Sequence, residues 1–535
     1  MKRLILNILI LQVAFTAAQN NPENFENPVL SGFYPDPSVV RVGDDYYMVN
    51  SSFEWYPGMP IHHSKDLVNW KLIGYGLERP DQVELPKGLK DSRGIYAVTI
   101  RHHDGLFYLI TTCVSCTGNF YVTAENPAGP WSDPVWLNSR GIDPSLFWDD
   151  NGTCYYTGHA NITGVNDWPQ KNGAWMQVLD LEQKKLVGER KQLTHGHAKN
   201  ARWTEGPHLY KIEDKYMLLA AEGGTGFHHS VTVHHSDSIW GPYIPNHANP
   251  VLTHRNLGQD YPIHSVGHAD LVQTQKGDWW ALALAKRKKE GFSLLARETF
   301  LTPVHFEDQE GVMTPVFNPG IGHLSQSQKR PDLPWSPFKA KPVRDEFDTD
   351  KLALEWNFLR TPYTKWHDIA NGELSINLRP EVLDSLVNLS FISRRIQHHR
   401  FRATTQMEFA SRRNNETAGI SVYRNSTNHW QLIKQGKELV IIKTKKGQTT
   451  EVARVPYAAK NVVLQVEGDN TKVSFKYGPS IESLKLLADN EDLTVVADEV
   501  ALGFSGPYVG MYGTSNGKKS KKQTIFKWFD YEKMD

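Results

Sequence analysis

Cysteine is nearly absent. Three residues in 535, Cys113, Cys116 and Cys154, exclude a disulfide-stapled scaffold, and the odd count leaves at least one thiol without an intrachain partner. Cys113 and Cys116 form a C-x-x-C, but a structural zinc needs four ligands and no second pair exists. The pair reads as small buried residues or one incidental disulfide. Net charge is also missing, because Lys+Arg and Asp+Glu both number 59. That balance gives no electrostatic footprint for nucleic acid or for an anionic membrane. After the N-terminus no apolar run approaches the ~20 residues of a membrane span.

The N-terminus differs from the rest. Lys2 and Arg3 precede an apolar run, Leu4 to Phe15, broken only by Asn7 and Gln12. Thr16-Ala17-Ala18 then offers small residues for cleavage before Gln19. The run is too short for a stable span, so residues 1–18 are expected to be a signal peptide, with a secreted or periplasmic mature chain. No cysteine stands near the cleavage point, which argues against a lipid anchor there.

Aromatic residues are abundant, with 16 Trp and 21 Tyr. They suit β-structure and also flat apolar sugar faces. They recur in a pattern: apolar strand, Gly/Asp-rich turn, strand opening with aromatics. The pattern appears at 39–49, 99–110, 145–157, 208–219 and 271–282, each a predicted hairpin. Its marker aromatics, Tyr46, Phe107, Tyr155, Tyr216 and Trp279, are spaced by 61, 48, 61 and 63 residues. Five similar sheets at this spacing predict an all-β, five-bladed propeller over 27–323.

Ten to twelve residues before each marker stand Asp36, Tyr96, Asp143, Glu205 and His268. In a propeller these equivalent positions converge on the central funnel. A single Asp-Pro-Ser is ordinary turn chemistry. Three carboxylates, an imidazole and a phenol at equivalent positions form a cluster. Cleaving an acetal needs an acid for the leaving oxygen and a carboxylate for water or direct attack. A third carboxylate raises the acid's pKa.

The motifs around these residues resemble glycoside hydrolase family 43 over nearly the whole mature chain. NPVLSGFYPDPSVV (27–40), GIDPSLFWDDNG (141–152) and TEGPHLYK (204–211) are similar to the segments carrying the family's general base, pKa modulator and general acid. The resemblance implies those roles for Asp36, Asp143 and Glu205, in an inverting mechanism. VGHADLVQT (266–274) matches the segment whose His, here His268, sits at the propeller centre over a bound cation or water. ARETFL (296–301) matches the sugar-contacting Arg, here Arg297. SSFEWYPGMP (51–60) resembles the pocket-lining loop, making Phe53 and Trp55 stacking candidates, and AAEGGTGFHHS (220–230) resembles a rim with Glu222 facing inward. His62-His63 and His234-His235 do not suit chelation of one ion, since neighbours on a strand point to opposite faces.

Departures from the family pattern sit beside the pocket. Tyr96 and Val98 stand where Trp and Pro are common, and the Cys113–Gly118 segment replaces a Gly-rich loop. They bear on substrate identity and leave the three carboxylates untouched.

Residues 324–342 are polar and Pro-rich and read as a linker. Period-two strands follow over 343–535, as in FRATTQMEF (401–409) and NVVLQVEG (461–468). FISRRIQHHRF, NETAGISVY and GPYVGMYGT resemble the C-terminal, jelly-roll-like β-sandwich of the xylosidase and arabinofuranosidase branch, which packs on the propeller and closes one side of the pocket. Asp345, Glu346 and Asp530 are candidates for a structural Ca²⁺ or for paired surface charge, and no other cofactor is implied. The expected activity is exo-acting release of β-D-xylose or α-L-arabinofuranose from xylan-type oligo- and polysaccharides. A non-catalytic carbohydrate-binding propeller is the rival, and it needs no complete set of acids.

Overall fold

The computed structural model describes residues 21–535, and the expected signal peptide lies outside them. Nearly all regular structure is β. The five predicted hairpins form, each as the first two strands of an antiparallel sheet, four-stranded in four blades and five-stranded in the fourth. The Asp104-Gly105 turn illustrates the cause. Both residues have positive φ, 48° and 77°, which is the backbone twist that a tight hairpin needs.

Blade 1 runs Ser38–Val42, Asp45–Val49, Gly58–Ser64, Lys71–Leu77. Blade 2 runs Gly94–His103, Leu106–Val114, Gly118–Ala124, Val135–Trp136. Blade 3 runs Ile142–Trp148, Cys154–His159, Ala174–Asp180, Lys185–Thr194. Blade 4 runs Glu205–Ile212, Lys215–Glu222, Ser230–Ser236, Ile244–Pro245, with Leu252–Thr253 added beside its third strand. Blade 5 runs Ile263–Gln273, Trp279–Arg287, Glu298–Gln309, Val312–Phe317. First strands touch in a closed cycle, blade 1 to 2 to 3 to 4 to 5 and back to 1. Middle strands are covered on both faces by neighbouring blades, so Leu106–Val114 is buried nearly end to end rather than alternately.

The ring is held at its centre and at its seam. At the centre, Asp270 of blade 5 pairs with Arg101 of blade 2 at 2.9 Å. The Asp270 carboxylate also accepts from Ser38 of blade 1 (2.6 Å) and from the Tyr210 hydroxyl of blade 4. Arg101 in turn reaches His208 Nδ1 (3.0 Å), and Ser145 of blade 3 lies 3.1 Å from the same nitrogen. One network thus joins all five first strands. Burial would raise the Asp270 pKa, but Arg101 and then His208 overcome it and hold the carboxyl far below its usual range. At the seam, Asn27 exchanges two hydrogen bonds with the Leu301 backbone and Leu30 bridges Thr299.

The segment 324–342, read as a linker, makes contacts with the propeller. Ser327–Lys329 pairs with Asn24–Glu26, and the Ser336 amide donates to Asp66. The sandwich beyond it has two large sheets. In Arg400–Glu408 the alternating Phe401, Ala403 and Met407 face the inter-sheet core, whereas Arg402 and Gln406 face outward. The outermost strand of one sheet is borrowed: Trp55–Tyr56, from blade 1, pairs with Asn357–Leu359. Buried Arg395 donates to the Phe33 carbonyl, and Arg360 pairs with Asp91 at 2.9 Å. The two domains are joined by main chain, charge and apolar packing at once.

Asp270→Asn keeps the shape but strands the Arg101 guanidinium. The expected loss is about 3–5 kcal/mol, seen as a fall in Tm of about 3–5 °C by scanning calorimetry. An unchanged Tm would show that blade cohesion does not depend on this pair.

Candidate active site

The funnel residues are aimed by irregular backbone. Four first strands shift register near their start, at Ile95/Val98, Ile142/Ser145, Glu205/His208 and His264/Gly267. Such bulges bend a strand and re-aim its side chains. Asp36, Asp143 and His268 have φ of 51°, 53° and 46°. This left-handed region is uncommon for residues other than glycine, and Asp and His are among those that tolerate it best. Glu205 is turned by its neighbour instead. Gly206 carries φ +53°, and a Cβ there would meet the His268 ring at 2.9 Å, so both the turn and the close approach call for glycine.

Asp36, Tyr96, Asp143, Glu205 and His268 do converge on one pocket, together with Phe53 and Arg297. Asp36 Oδ1 accepts from Arg297 Nη1 at 2.9 Å, and Oδ2 accepts from Ser51 Oγ at 2.6 Å. His268 Nδ1 is 4.0 Å from Oδ1. Burial works to raise the Asp36 pKa, but Arg297, then His268 and Ser51, outweigh it, so the carboxyl lies below its ordinary range and is ionised.

Glu205 is the opposite case. Burial pushes its pKa well above the ordinary value, the Asp143 and Asp36 charges push it further, and Arg297 opposes only in part. Asp143 is also raised, first by burial, against the pull of His268 and His159. Asp143 Oδ2 accepts from the Gly206 amide at 3.3 Å, which fixes the backbone next to Glu205. His159 donates from Nδ1 to the Thr204 carbonyl (2.6 Å) and turns Nε2 toward Glu205 Oε1 at 3.9 Å. Burial keeps this imidazole neutral. The surroundings therefore push two carboxyls of one pocket in opposite directions, Asp36 toward the charged form and Glu205 toward the protonated form, as paired base and acid chemistry requires.

Its wall is aromatic. The Phe53 ring lies 5.0 Å from Tyr96 and 5.9 Å from Phe504, and the Arg297 guanidinium sits 5.1 Å over Phe53. Phe504 comes from the sandwich, and its carbonyl accepts from Arg297 Nη2 at 3.1 Å. The loop is held by Glu54, whose carboxylate accepts from Ser505 Oγ (2.7 Å) and the Ser92 amide (3.0 Å). Burial, with Asp91 nearby, raises Glu54 to about 7.

Two expected pocket residues lie elsewhere. Trp55 is buried in the domain interface, stacked on Tyr508 with centroids 3.5 Å apart, because its strand belongs to the sandwich sheet. Glu222 is not at the funnel. Its carboxylate accepts from Thr232 (3.0 Å) and the His197 amide (3.0 Å) and lines a separate cavity with Trp203 and Arg255. Ser51, His159, Thr225, His229 and Phe504 belong to the site but lie off the first strands, outside the positions that the repeat marks.

Among the described residues no group of three or more His, Cys, Asp or Glu is placed to hold a metal. Asp530 is engaged by Arg344 through two hydrogen bonds, and Asp345 accepts from the Phe347 amide and Trp356 Nε1. Positive charge at that position is supplied by arginine. Cys113 and Cys116 are disulfide-bonded, and Cys154 is a buried free thiol.

Both halves of the chain match known protein families. Residues 25–311 match Glycosyl hydrolases family 43, and 344–532 match the Beta xylosidase C-terminal Concanavalin A-like domain. A xylosidase/arabinosidase of Butyrivibrio fibrisolvens is 40% identical, across 95% of this chain and 99% of its own. A non-reducing end alpha-L-arabinofuranosidase of Bacteroides ovatus is 37% identical, across 100% and 99%. The solved xylan beta-1,4-xylosidase of Bacillus halodurans superposes with a TM-score of 0.89 at 34% identity, over 95% of this chain and 100% of that one. Fold, convergent carboxyls and similarity across both domains lead to one statement: the chain belongs to glycoside hydrolase family 43.

Proposed function

We propose that this hydrolase removes single β-D-xylose or α-L-arabinofuranose units from the ends of xylan-type chains with inversion, using Asp36 as base and Glu205 as acid. The observation that carries the reading is the split in protonation, with Asp36 held ionised by Arg297 and Glu205 held protonated by burial and Asp143.

Asp36 takes a proton from a water molecule as that water attacks the anomeric carbon. Glu205 gives its proton to the departing glycosidic oxygen on the opposite face. The bond to the leaving sugar breaks, the bond to water oxygen forms, and Asp36 ends protonated with Glu205 ionised. Exchange with solvent resets both. In inverting enzymes the two carboxyls stand about 6.5–9.5 Å apart to admit the water. Both Asp36 oxygens accept hydrogen bonds, from Arg297 and Ser51, which hold the carboxylate in place and ionised. Asp143 tunes the acid, and Arg297, Phe53, Tyr96 and His268 bind the sugar ring.

The cavity is small, about 80 Å³, and Phe504 closes one side, which supports exo action on one terminal residue. The names of the relatives support the sugar class, since they include both xylosidase and arabinofuranosidase. The charged, then apolar, then small-residue N-terminus supports export of the mature chain.

Side-by-side kcat/KM on nitrophenyl β-D-xylopyranoside and nitrophenyl α-L-arabinofuranoside tests the substrate reading. Activity on at least one is expected, and a folded protein inactive on both would overturn it. Glu205→Gln is expected to lose about 10²–10⁴-fold on xylobiose, and much less on a nitrophenyl glycoside whose leaving group needs no proton. In the wild type, NMR should find the inverted anomer first; a retained product would refute the mechanism. Asp143→Asn removes a negative charge beside Glu205, so the acid loses its proton more easily. The basic limb of the kcat/KM profile should move to lower pH, and an unmoved limb would contradict the tuning role.

A further inference from the structure

A second concave site lies in the sandwich and shares no lining residue with the funnel. It is a cleft of about 1210 Å³. Six of its eight lining cations come from separate loops: Arg412 and Arg413 after strand Arg400–Glu408, Lys437 in the turn between strands Asn428–Gln435 and Glu438–Lys445, and Lys519, Lys521 and Lys522 before the last strand. All six are exposed. Among the described residues, Arg412, Lys437, Lys519, Lys521 and Lys522 have no carboxylate within 4.0 Å, although the whole chain is charge-balanced. Like charges crowded around a concavity repel one another, and a bound anion relieves that repulsion.

The cleft is a built feature. The buried Glu416 carboxylate, at its base, accepts from Ser520 Oγ (2.6 Å) and from Ser411 Oγ. One buried acid therefore clamps both arginine- and lysine-bearing loops. Asn516 and Asn415 add cross-links, Nδ2 of each donating to a carbonyl of the opposite loop at 2.6 and 2.9 Å. Glu416 is the one acidic residue in the lining, and these serines already occupy it.

The lining contains no aromatic ring. Nucleic-acid bases would have nothing to stack on, and neither would neutral sugar faces. What remains is recognition by charge and by the arginine fork, which fits carboxylates. The volume exceeds that of a usual small-molecule pocket, about 300–1,000 Å³, and suits several linked units. We propose that this cleft binds a carboxylate-bearing oligosaccharide, so that the sandwich grips acid-substituted stretches of the polymer whose neutral ends the funnel trims. The choice of a glycan among polyanions rests on the hydrolase reading above; the anion site itself does not.

The test is calorimetric titration of the full chain with a glucuronate-substituted xylo-oligosaccharide and with the same compound after its carboxyl is reduced to an alcohol. The acid form is expected to bind about tenfold tighter or more, with the preference fading between about 50 and about 500 mM NaCl. The variant Lys519→Ser/Lys521→Ser/Lys522→Ser, and separately Arg412→Ser/Lys437→Ser, should lose most of that preference while kcat/KM on nitrophenyl sugars stays unchanged. Equal affinity for the two compounds would overturn the proposal. So would a preference that survives in both variants, which would place the anion elsewhere, or tighter binding of single-stranded DNA. The nitrophenyl assay separates the two readings. Acid preference without hydrolysis sinks the catalytic reading alone, and hydrolysis without acid preference sinks the cleft.

Discussion

Asp270 and Arg101 meet at 2.9 Å on the propeller axis, one from blade 5 and one from blade 2. Neither charge is affordable there alone, because desolvation of an isolated buried ion costs several kcal/mol. Together, with Ser38, Ser145, His208 and Tyr210, they make a network that touches every first strand. The funnel residues are a few positions away along those same strands. Asp270 follows His268 by two residues, and Ser38 and Ser145 follow Asp36 and Asp143 by two. Fixing the network fixes where each carboxyl stands. The pKa split between Asp36 and Glu205 depends on those placements, since Coulomb terms change steeply with distance inside a protein.

The second constraint is the domain interface. Arg297 acts on both sides of it, holding Asp36 with one nitrogen and the Phe504 carbonyl with another. Glu54 and Ser92 hold the same sandwich loop from the propeller side. The wall of the sugar pocket is therefore as rigid as the contact between the domains.

Much of this was legible in the sequence for a simple reason. A propeller repeats, and Asp36, Tyr96, Asp143, Glu205 and His268 occupy one phase of the repeat, so periodicity alone brings them together. Three members of the axial network, Ser38, Ser145 and Asp270, are in phase as well, yet each looks like any polar residue inside a strand until its partners are in place. His159 ends a second strand and His229 precedes a third, so neither carries the phase of the others. Phe504 comes from another domain and had no local signal. Trp55 was misplaced because its environment is made by Tyr508, 453 residues away. Glu222 shares a loop motif with pocket residues, but its carboxylate is directed to Thr232 and His197.

The short strand Trp55–Tyr56 completes a sheet that otherwise belongs to the second half of the chain. A sheet edge left bare presents unpaired amide and carbonyl groups and invites foreign pairing. The propeller segment therefore covers an edge that the sandwich alone would leave bare. A cut at the border near residue 343 would strip that sheet of its outermost strand and bare the Asn357–Leu359 edge.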